Sequence, residues 1–166
     1  MISKQVGLSH SGLPEKHEIL GGQAPYTIER TWGALPSGLQ IVNQNLLGTP
    51  TRATRFRFRI RVTDDVGTSV SKTYTLNILK AVTVYSRSLV VGRVGRSYTT
   101  TVKATGGAKP YEWVLLPGTA PAWLSFDGAT GRLTGIPTSP GSFDLTFQVV
   151  DSLGGQAQKT LRLTVR

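Results

Sequence analysis

Gly-Gly-Gln-Ala-Pro-Tyr at residues 21–26 recurs as Gly-Gly-Ala-Lys-Pro-Tyr at residues 106–111. Further along the chain, Gly48-Thr49-Pro50 recurs as Gly135-Ile136-Pro137. The first pair of motifs is 85 residues apart and the second pair 87, so the two copies keep nearly the same register. Self-similarity at a fixed period indicates one structural unit used twice. The sequence therefore predicts two domains, at residues 1–80 and 81–166.

The two copies stay in phase from these motifs to the end of the sequence. Phe56 corresponds to Phe143, and Asp64 corresponds to Asp151. The two-residue difference in spacing falls in a segment that is longer in the second copy, and surface turns tolerate such insertions. Upstream of Leu20 the match is poor, which predicts an irregular first strand or an N-terminal arm at residues 1–18.

Short runs of alternating apolar and polar residues, bounded by turn residues at intervals of about ten, fill both copies. In one run Phe143, Leu145, Phe147 and Val149 alternate with polar residues, which predicts a strand with one buried face. Such runs predict an all-β fold of two tandem immunoglobulin-like β-sandwich domains. In the second copy the predicted strands are Ser97–Ala104, Tyr111–Leu115, Leu124–Asp127, Arg132–Gly135, Gly141–Asp151 and Gln156–Val165.

Composition limits the classes of protein that remain. Apolar residues make up 39% of the chain and charged residues 17%, which predicts packed cores and not disorder. The absence of cysteine excludes disulfides, thiolate metal sites and cysteine nucleophiles. The sequence has no run of about 18 apolar residues, so no membrane span is predicted. The net charge of +10 predicts attraction to an anionic partner.

Several linked motifs occur in both copies. The first copy has Gly21, Gly22, Pro25, Tyr26, Leu35-Pro36-Ser37-Gly38-Leu39, Gly48, Pro50 and Asp64, and the second has Gly106, Gly107, Pro110, Tyr111, Gly131, Gly135, Pro137, Gly141 and Asp151. This pattern resembles the Put-Ig family of immunoglobulin-like repeat domains in bacterial surface and phage proteins, which is similar to dystroglycan-type cadherin-like domains. The resemblance implies the fold but not the function, because this architecture hosts many unrelated roles.

Residues 55–62, Arg-Phe-Arg-Phe-Arg-Ile-Arg-Val, are the most informative segment for function. Period-two alternation places Arg55, Arg57, Arg59 and Arg61 on one face of a strand and four apolar side chains on the other. One interpretation is a strip that binds an acidic partner; the other is a solvated face paired with Glu or Asp on adjacent strands. Nucleic acid is disfavoured, because the phenylalanines of this segment point inward, away from the basic face.

The three tryptophans are candidates for contact with sugar rings. Trp113 lies in a strand that the sandwich core needs, which predicts burial. Trp32 and Trp123 lie beside Gly33 and Pro121 in predicted turn regions, where exposure and glycan contact are more credible.

No catalytic, metal or cofactor site is predicted. Asp64, Asp65 and Asp151 end strands, and such aspartates commonly accept hydrogen bonds from their own turn, whereas calcium would need six to eight converging oxygen ligands. The two histidines, His10 and His17, lack the partners of a general base or a metal site.

These observations predict a non-enzymatic structural or binding protein. The leading hypothesis is a virion decoration or accessory assembly subunit of a phage, which docks onto an acidic surface through Arg55 to Arg61. It depends in part on the start of the sequence, Met1 to Gly7, which has no apolar run of a signal peptide and favours a complete protein. The alternative is an extracellular spacer, adhesion or carbohydrate-binding module of a larger exported bacterial surface protein, with a possible polysaccharide partner.

Overall fold

The computed structural model describes residues 21–42 and 45–166. Within these residues every regular element is a β-strand, and no helix is long and apolar enough to cross a bilayer. The prediction of an all-β fold is confirmed. The chain divides into two compact units, with Leu79 ending the first and Lys80 beginning the second. The arm predicted at residues 1–18, like His10 and His17, lies outside the described residues.

The first unit has five strands in its described part: β1 (Thr27–Gly33), β2 (Leu39–Val42), β3 (Asn45–Gly48), β4 (Arg55–Thr63) and β5 (Ser69–Asn77). Strand β4 lies between β1 and β5 in an antiparallel sheet, and β2 and β3 pair with each other. Phe58, Leu76 and Ile78 are buried, and Leu39 and Leu46 of the β2–β3 hairpin pack against them. The hairpin therefore covers the apolar face of the three-stranded sheet.

The second unit repeats the plan of the described part of the first and has eight strands: β6 (Thr83–Val84), β7 (Tyr98–Thr101), β8 (Ala104–Thr105), β9 (Tyr111–Leu115), β10 (Leu124–Asp127), β11 (Arg132–Gly135), β12 (Gly141–Asp151) and β13 (Gln156–Val165). One sheet has the order β13-β12-β9, a second has the order β10-β11-β7, and β6 pairs with β8. Strand β12 corresponds to β4 in the internal repeat and is likewise the central strand of its sheet.

The core of the second unit lies between its two larger sheets. Leu145, Phe147 and Val149 of β12 are buried, which confirms the alternation predicted for this strand. The Phe147 ring packs against Phe126 of β10 with ring centroids 5.5 Å apart. Each such side chain contributes about 1.5–3 kcal/mol on burial, so the alternating apolar positions of β12 hold the sandwich together.

Five of the six strands predicted in the second copy have the predicted bounds, and the sixth is wrong in extent. The predicted strand Ser97–Ala104 is two shorter strands, β7 and β8, which pair with different neighbours. Between them the Val102 amide donates to the Gly131 carbonyl at 2.9 Å. The backbone thus passes from one sheet to another, although the alternation of polar and apolar residues continues without a break. That alternation alone does not show where one strand ends and the next begins.

Tyr98 makes the stability of the second unit sensitive to alkaline pH. Its side chain is buried, its hydroxyl donates to the Val90 carbonyl at 3.0 Å, and burial raises the pKa of Tyr98 to about 12. Because the folded pKa lies above the ordinary value of 10.0, the neutral tyrosine stabilises the folded state below pH 10, and this stability is lost as the pH rises through 12. We expect Tyr98→Phe to flatten the pH dependence of urea unfolding between these values. An unchanged pH profile would contradict this assignment.

Candidate functional site

The outer face of the β1-β4-β5 sheet carries a row of cations. The side chains of β4 alternate, with Phe56, Phe58 and Ile60 directed toward the core and the arginines between them exposed. The orientation predicted for the segment is therefore confirmed. We call the following four side chains the arginine row: Arg55, Arg57, Arg59 and Arg61.

Strand β5 places short polar side chains beside the arginine row. In the antiparallel register Arg59 lies opposite Thr73, and Arg57 lies opposite Thr75. Residues directly opposite one another point to the same face, and Arg59 Nε donates to Thr73 Oγ1 at 3.3 Å. The sequence of β5, Ser-Val-Ser-Lys-Thr-Tyr-Thr-Leu-Asn, contains no acidic residue. This side of the row therefore offers hydroxyl and amide groups but no counter-charge.

Strand β1 supplies one counter-charge, at the end of the row. Glu29 lies opposite Arg61, and its carboxylate forms a salt bridge with that guanidinium. Both side chains are nearly half exposed, at 46% for Arg61 and 47% for Glu29. An exposed pair of this kind contributes about 0–1 kcal/mol. Ion pairing with an adjacent strand thus occurs at Arg61, and among the described residues no acid pairs with the other three arginines.

Trp32 also lies on this face, because β1 contains a bulge. The register shifts between Arg30 and Trp32, so that Glu29 lies opposite Arg61 and Trp32 opposite Arg59. In a regular strand Trp32, three residues after Glu29, would point to the other face. The bulge instead directs the indole outward, where the residue is 55% exposed. Trp32 therefore belongs to a strand and not to the predicted turn region, and alternation alone gave no sign of its place beside Arg59.

The corresponding face of the second unit is built from different side chains. At the positions of the arginine row, β12 has Ser142, Asp144, Thr146 and Gln148. Asp144 accepts two hydrogen bonds from Arg162, at 2.8 Å and 3.0 Å, and the Arg162 hydrogen bond lowers the pKa of the Asp144 carboxyl. The same fold therefore forms without a row of cations, so the arginines of the first unit are not a requirement of the sandwich.

The other two tryptophans pack in or against the core of the second unit. Trp113 is 7% exposed and lies in the core, as predicted. Trp123 is partly buried against that core, and its ring meets Tyr98 edge to face with centroids 5.9 Å apart. Its indole Nε1 is buried as well. Trp123 therefore offers far less surface to a glycan than its predicted turn position suggested.

The strand-end aspartates hold turns in both units. Asp151 Oδ1 accepts hydrogen bonds from the amides of Leu153 and Gly155, at 2.9 Å and 2.8 Å, and Oδ2 accepts one from Ala108 at 3.3 Å. Asp64 in the first unit accepts a bond from the Thr68 amide at 2.7 Å. These contacts agree with the predicted turn-capping role. In residues 21–42 and 45–166 no group of three His, Asp or Glu side chains is placed to hold a metal ion.

Comparison with known proteins identifies the family. Residues 4–79 and residues 81–166 each match the family described as Putative Ig domain. Two successive matches cover almost the whole chain and repeat the division seen in the internal motifs. The chain therefore belongs to this family, and the prediction of two tandem immunoglobulin-like β-sandwich domains is confirmed.

One curated relative and two solved structures are similar to this chain. The chain is 26% identical over 147 residues to the serine-rich adhesin for platelets of Staphylococcus aureus, a match that covers 84% of this chain and 6% of the adhesin. A C-terminal fragment of intimin, solved with the intimin-binding domain of its translocated receptor, has a TM-score of 0.51 and 18% identity over 85% of this chain and 51% of the fragment. A titin I-band fragment has a TM-score of 0.51 and 15% identity over 87% of this chain and 56% of the fragment. The structures support the fold alone.

Proposed function

We propose that this chain is a non-enzymatic immunoglobulin-like repeat module of an adhesin-type surface protein, and that it attaches to an acidic partner through the arginine row. The observation that carries this proposal is the exposed row of four guanidinium groups, which faces one described acid, Glu29. Like charges at alternate positions of one strand repel one another, and an anionic partner relieves that repulsion. Such a row therefore lowers the stability of the isolated domain and strengthens its binding to an anionic partner.

The internal repeat supports a binding role for the row. Two copies of one fold share their apolar positions and their turns, but their outer faces differ in charge. Strand β12 shows that the sandwich also forms with Ser, Asp, Thr and Gln at the four matching positions. Packing of the fold therefore does not require arginine at these positions. Guanidinium groups are, in addition, well suited to bidentate contact with carboxylate, sulfate or phosphate.

The family and the curated relative support a location at the cell surface. The S. aureus relative is an adhesin, and this chain matches a small part of its length, as a repeat module would. We therefore favour the extracellular, surface-protein alternative over the virion decoration subunit. Three of the described carboxylates are engaged in structure: Asp64 and Asp151 hold turns, and Asp144 pairs with Arg162. These contacts support binding in place of catalysis.

We expect the chain to bind immobilised polyanions and the binding to depend on the arginine row. In the test variant each arginine is replaced by the residue at the matching position of β12 or by serine: Arg55→Ser, Arg57→Ser, Arg59→Thr and Arg61→Gln. At about 0.5 kcal/mol for each exposed charged contact, the loss is about 2 kcal/mol, or about 30-fold in affinity, measured by biolayer interferometry at low and physiological salt.

The matched control removes the same number of positive charges from the second unit. It carries Arg87→Ser, Arg93→Ser, Arg96→Ser and Lys103→Ser, four exposed cations that belong to other elements than β4. We expect this control to retain most of the binding, whereas equal losses in both variants would show that net charge and not the row is responsible. Antibodies to the chain should label intact cells of the source organism. Labelling confined to purified phage particles would overturn the surface-protein assignment.

A further inference from the structure

The outward position of Trp32 changes what the arginine row can recognise. The bulge in β1 sets the indole opposite Arg59, and Arg59 in turn lies opposite Thr73. An aromatic ring, a guanidinium and a hydroxyl therefore occupy three adjacent strands at one level of the sheet. The neighbouring level adds Arg57 and Thr75. The face combines a flat apolar surface with exposed cations and hydrogen-bonding groups.

We propose that Trp32, Arg57 and Arg59 form a binding site for an anionic polysaccharide, a suggestion that rests on the proposed role of the arginine row. The indole stacks on the apolar face of a sugar ring, the guanidiniums bind the carboxylate or sulfate groups of the chain, and the threonines meet its hydroxyls. Indole surfaces combine a large apolar area with a polar edge, which suits a ring that is apolar on its face and polar at its rim. Bidentate guanidinium contacts add selection for planar or tetrahedral anions.

The chemistry of the face favours a polysaccharide over an acidic protein. Stable protein interfaces bury about 800 Å² on each partner around an apolar, largely uncharged centre. Here Trp32 is the one large apolar side chain among the described residues of the outer face, and arginines, threonines and serines surround it. A linear, hydroxyl-rich and charged chain matches this composition better than a globular surface does.

The same face is less suited to single-stranded nucleic acid. Proteins that bind such strands place several aromatic side chains in succession, on which consecutive bases stack. Strands β4 and β5 contribute no aromatic group to the outer face, because Phe56, Phe58 and Tyr74 belong to the core. A single indole beside a row of hydroxyls fits a polysaccharide in which one sugar ring stacks on the indole and the neighbouring sugars are held by charge and hydrogen bonds.

The second unit provides an internal comparison for this site. Its strand β9 ends at Leu115, opposite Phe147, and carries no outward tryptophan beside β12. On β12 the one charged side chain of the outer face, Asp144, is already paired with Arg162. Among the described residues, the outward tryptophan and arginines without an acidic partner therefore occur together on this face of the first unit, and the matching face of the second unit has neither.

The test uses four probes that separate charge from ring recognition: polygalacturonate, poly-L-glutamate, neutral dextran and an oligothymidylate. The intact chain should bind polygalacturonate more tightly than poly-L-glutamate at equal carboxylate concentration, and should not bind dextran. Trp32→Ala should weaken polygalacturonate binding about fivefold and leave poly-L-glutamate binding unchanged, since stacking is lost and charge is kept. Trp32→Phe should restore most of the difference. Because Trp32 is more than half exposed, both variants should stay folded, with melting temperatures within about 5 °C of that of the parent chain.

The outcomes distinguish this inference from the function on which it rests. If the arginine row variant loses both polyanions but Trp32→Ala binds polygalacturonate as the parent does, the row is a polyanion site and the polysaccharide assignment is overturned. Tighter, Trp32-dependent binding of the oligothymidylate would overturn it in favour of nucleic acid, and equal binding of poly-L-glutamate would overturn it in favour of an acidic protein. If the arginine row variant keeps all polyanion binding, the proposed function itself fails.

Discussion

Phe147→Ala should lower the free energy of unfolding of the second unit by about 4 kcal/mol, within the usual range for removing a buried phenylalanine. The ring is fully buried at the centre of β12 and packs against Phe126 across the two sheets. Truncation to alanine removes that contact and leaves a cavity between the two sheets. The hydrogen bonds within each sheet limit how far the strands can move to fill that cavity. A domain of this size has about 5–15 kcal/mol of stability in total, so the variant should lose between about a quarter and four fifths of it.

Urea denaturation followed by near-ultraviolet circular dichroism measures this loss. The matched control is Ser142→Ala, on the exposed face of the same strand, for which we expect a change below about 0.5 kcal/mol. A loss below about 1 kcal/mol for Phe147→Ala would mean that Phe147 does not face the core, and the register of β12 would then be wrong.

The features predicted well from the sequence are those that depend on periodicity. The alternation of apolar residues in β12 and β4 defines which face of each strand is buried, because side chains on a strand alternate between two faces. The orientation of the arginine row follows from the same rule. The turn glycines and prolines bound these strands, so five strands of the second copy could be placed to the residue.

The features that were missed depend on contacts between distant segments. The bulge that turns Trp32 outward is defined by the pairing of β1 with β4, which the sequence of β1 alone does not show. The division of one predicted strand into β7 and β8 likewise depends on partners elsewhere in the chain. A tryptophan beside a glycine was therefore assigned to a turn, although its backbone belongs to a sheet.

The internal repeat separates structural from functional signals within a single sequence. Positions that agree between the copies, such as Phe56 and Phe143 or Asp64 and Asp151, serve packing and turns in both units. The outward-facing residues of β4 and β12 differ in type between the copies. They are exposed in the first unit and exposed or half exposed in the second. A difference that packing does not require is the place to seek function, and here it coincides with the one large exposed aromatic residue of β1.

The Gly-Gly motif and the strand-end aspartate, although distant in sequence, form one structural device. Gly107 has a φ of +61°, and a Cβ there would collide with the Asp151 carboxylate. That carboxylate accepts one bond from Ala108, next to the motif, and two from its own turn. In the first unit a Cβ on Gly22 would lie 3.1 Å from Asp64 Oδ2. These two repeated features are thus contact partners, and the glycine leaves the room that the carboxylate occupies.

Asp151→Ala should therefore destabilise the second unit by about 4 kcal/mol, because three backbone amides lose a charged acceptor at a site that is 9% exposed. Asp151→Asn keeps the shape of the side chain but replaces one carboxylate oxygen with an amide donor. That donor faces either the Ala108 amide or the turn amides, so we expect a loss of about 2 kcal/mol in the free energy of unfolding. Asp64→Ala, at a half-buried site, should cost about 1–2 kcal/mol. Urea unfolding of the three variants gives the order directly. Asp64 Oδ2 accepts the equivalent bond from the Gln23 amide at 3.4 Å, so the two sites differ in burial and in the second turn bond of Asp151. If Asp151→Ala were no worse than Asp64→Ala, that bond and the deeper burial would contribute nothing to stability.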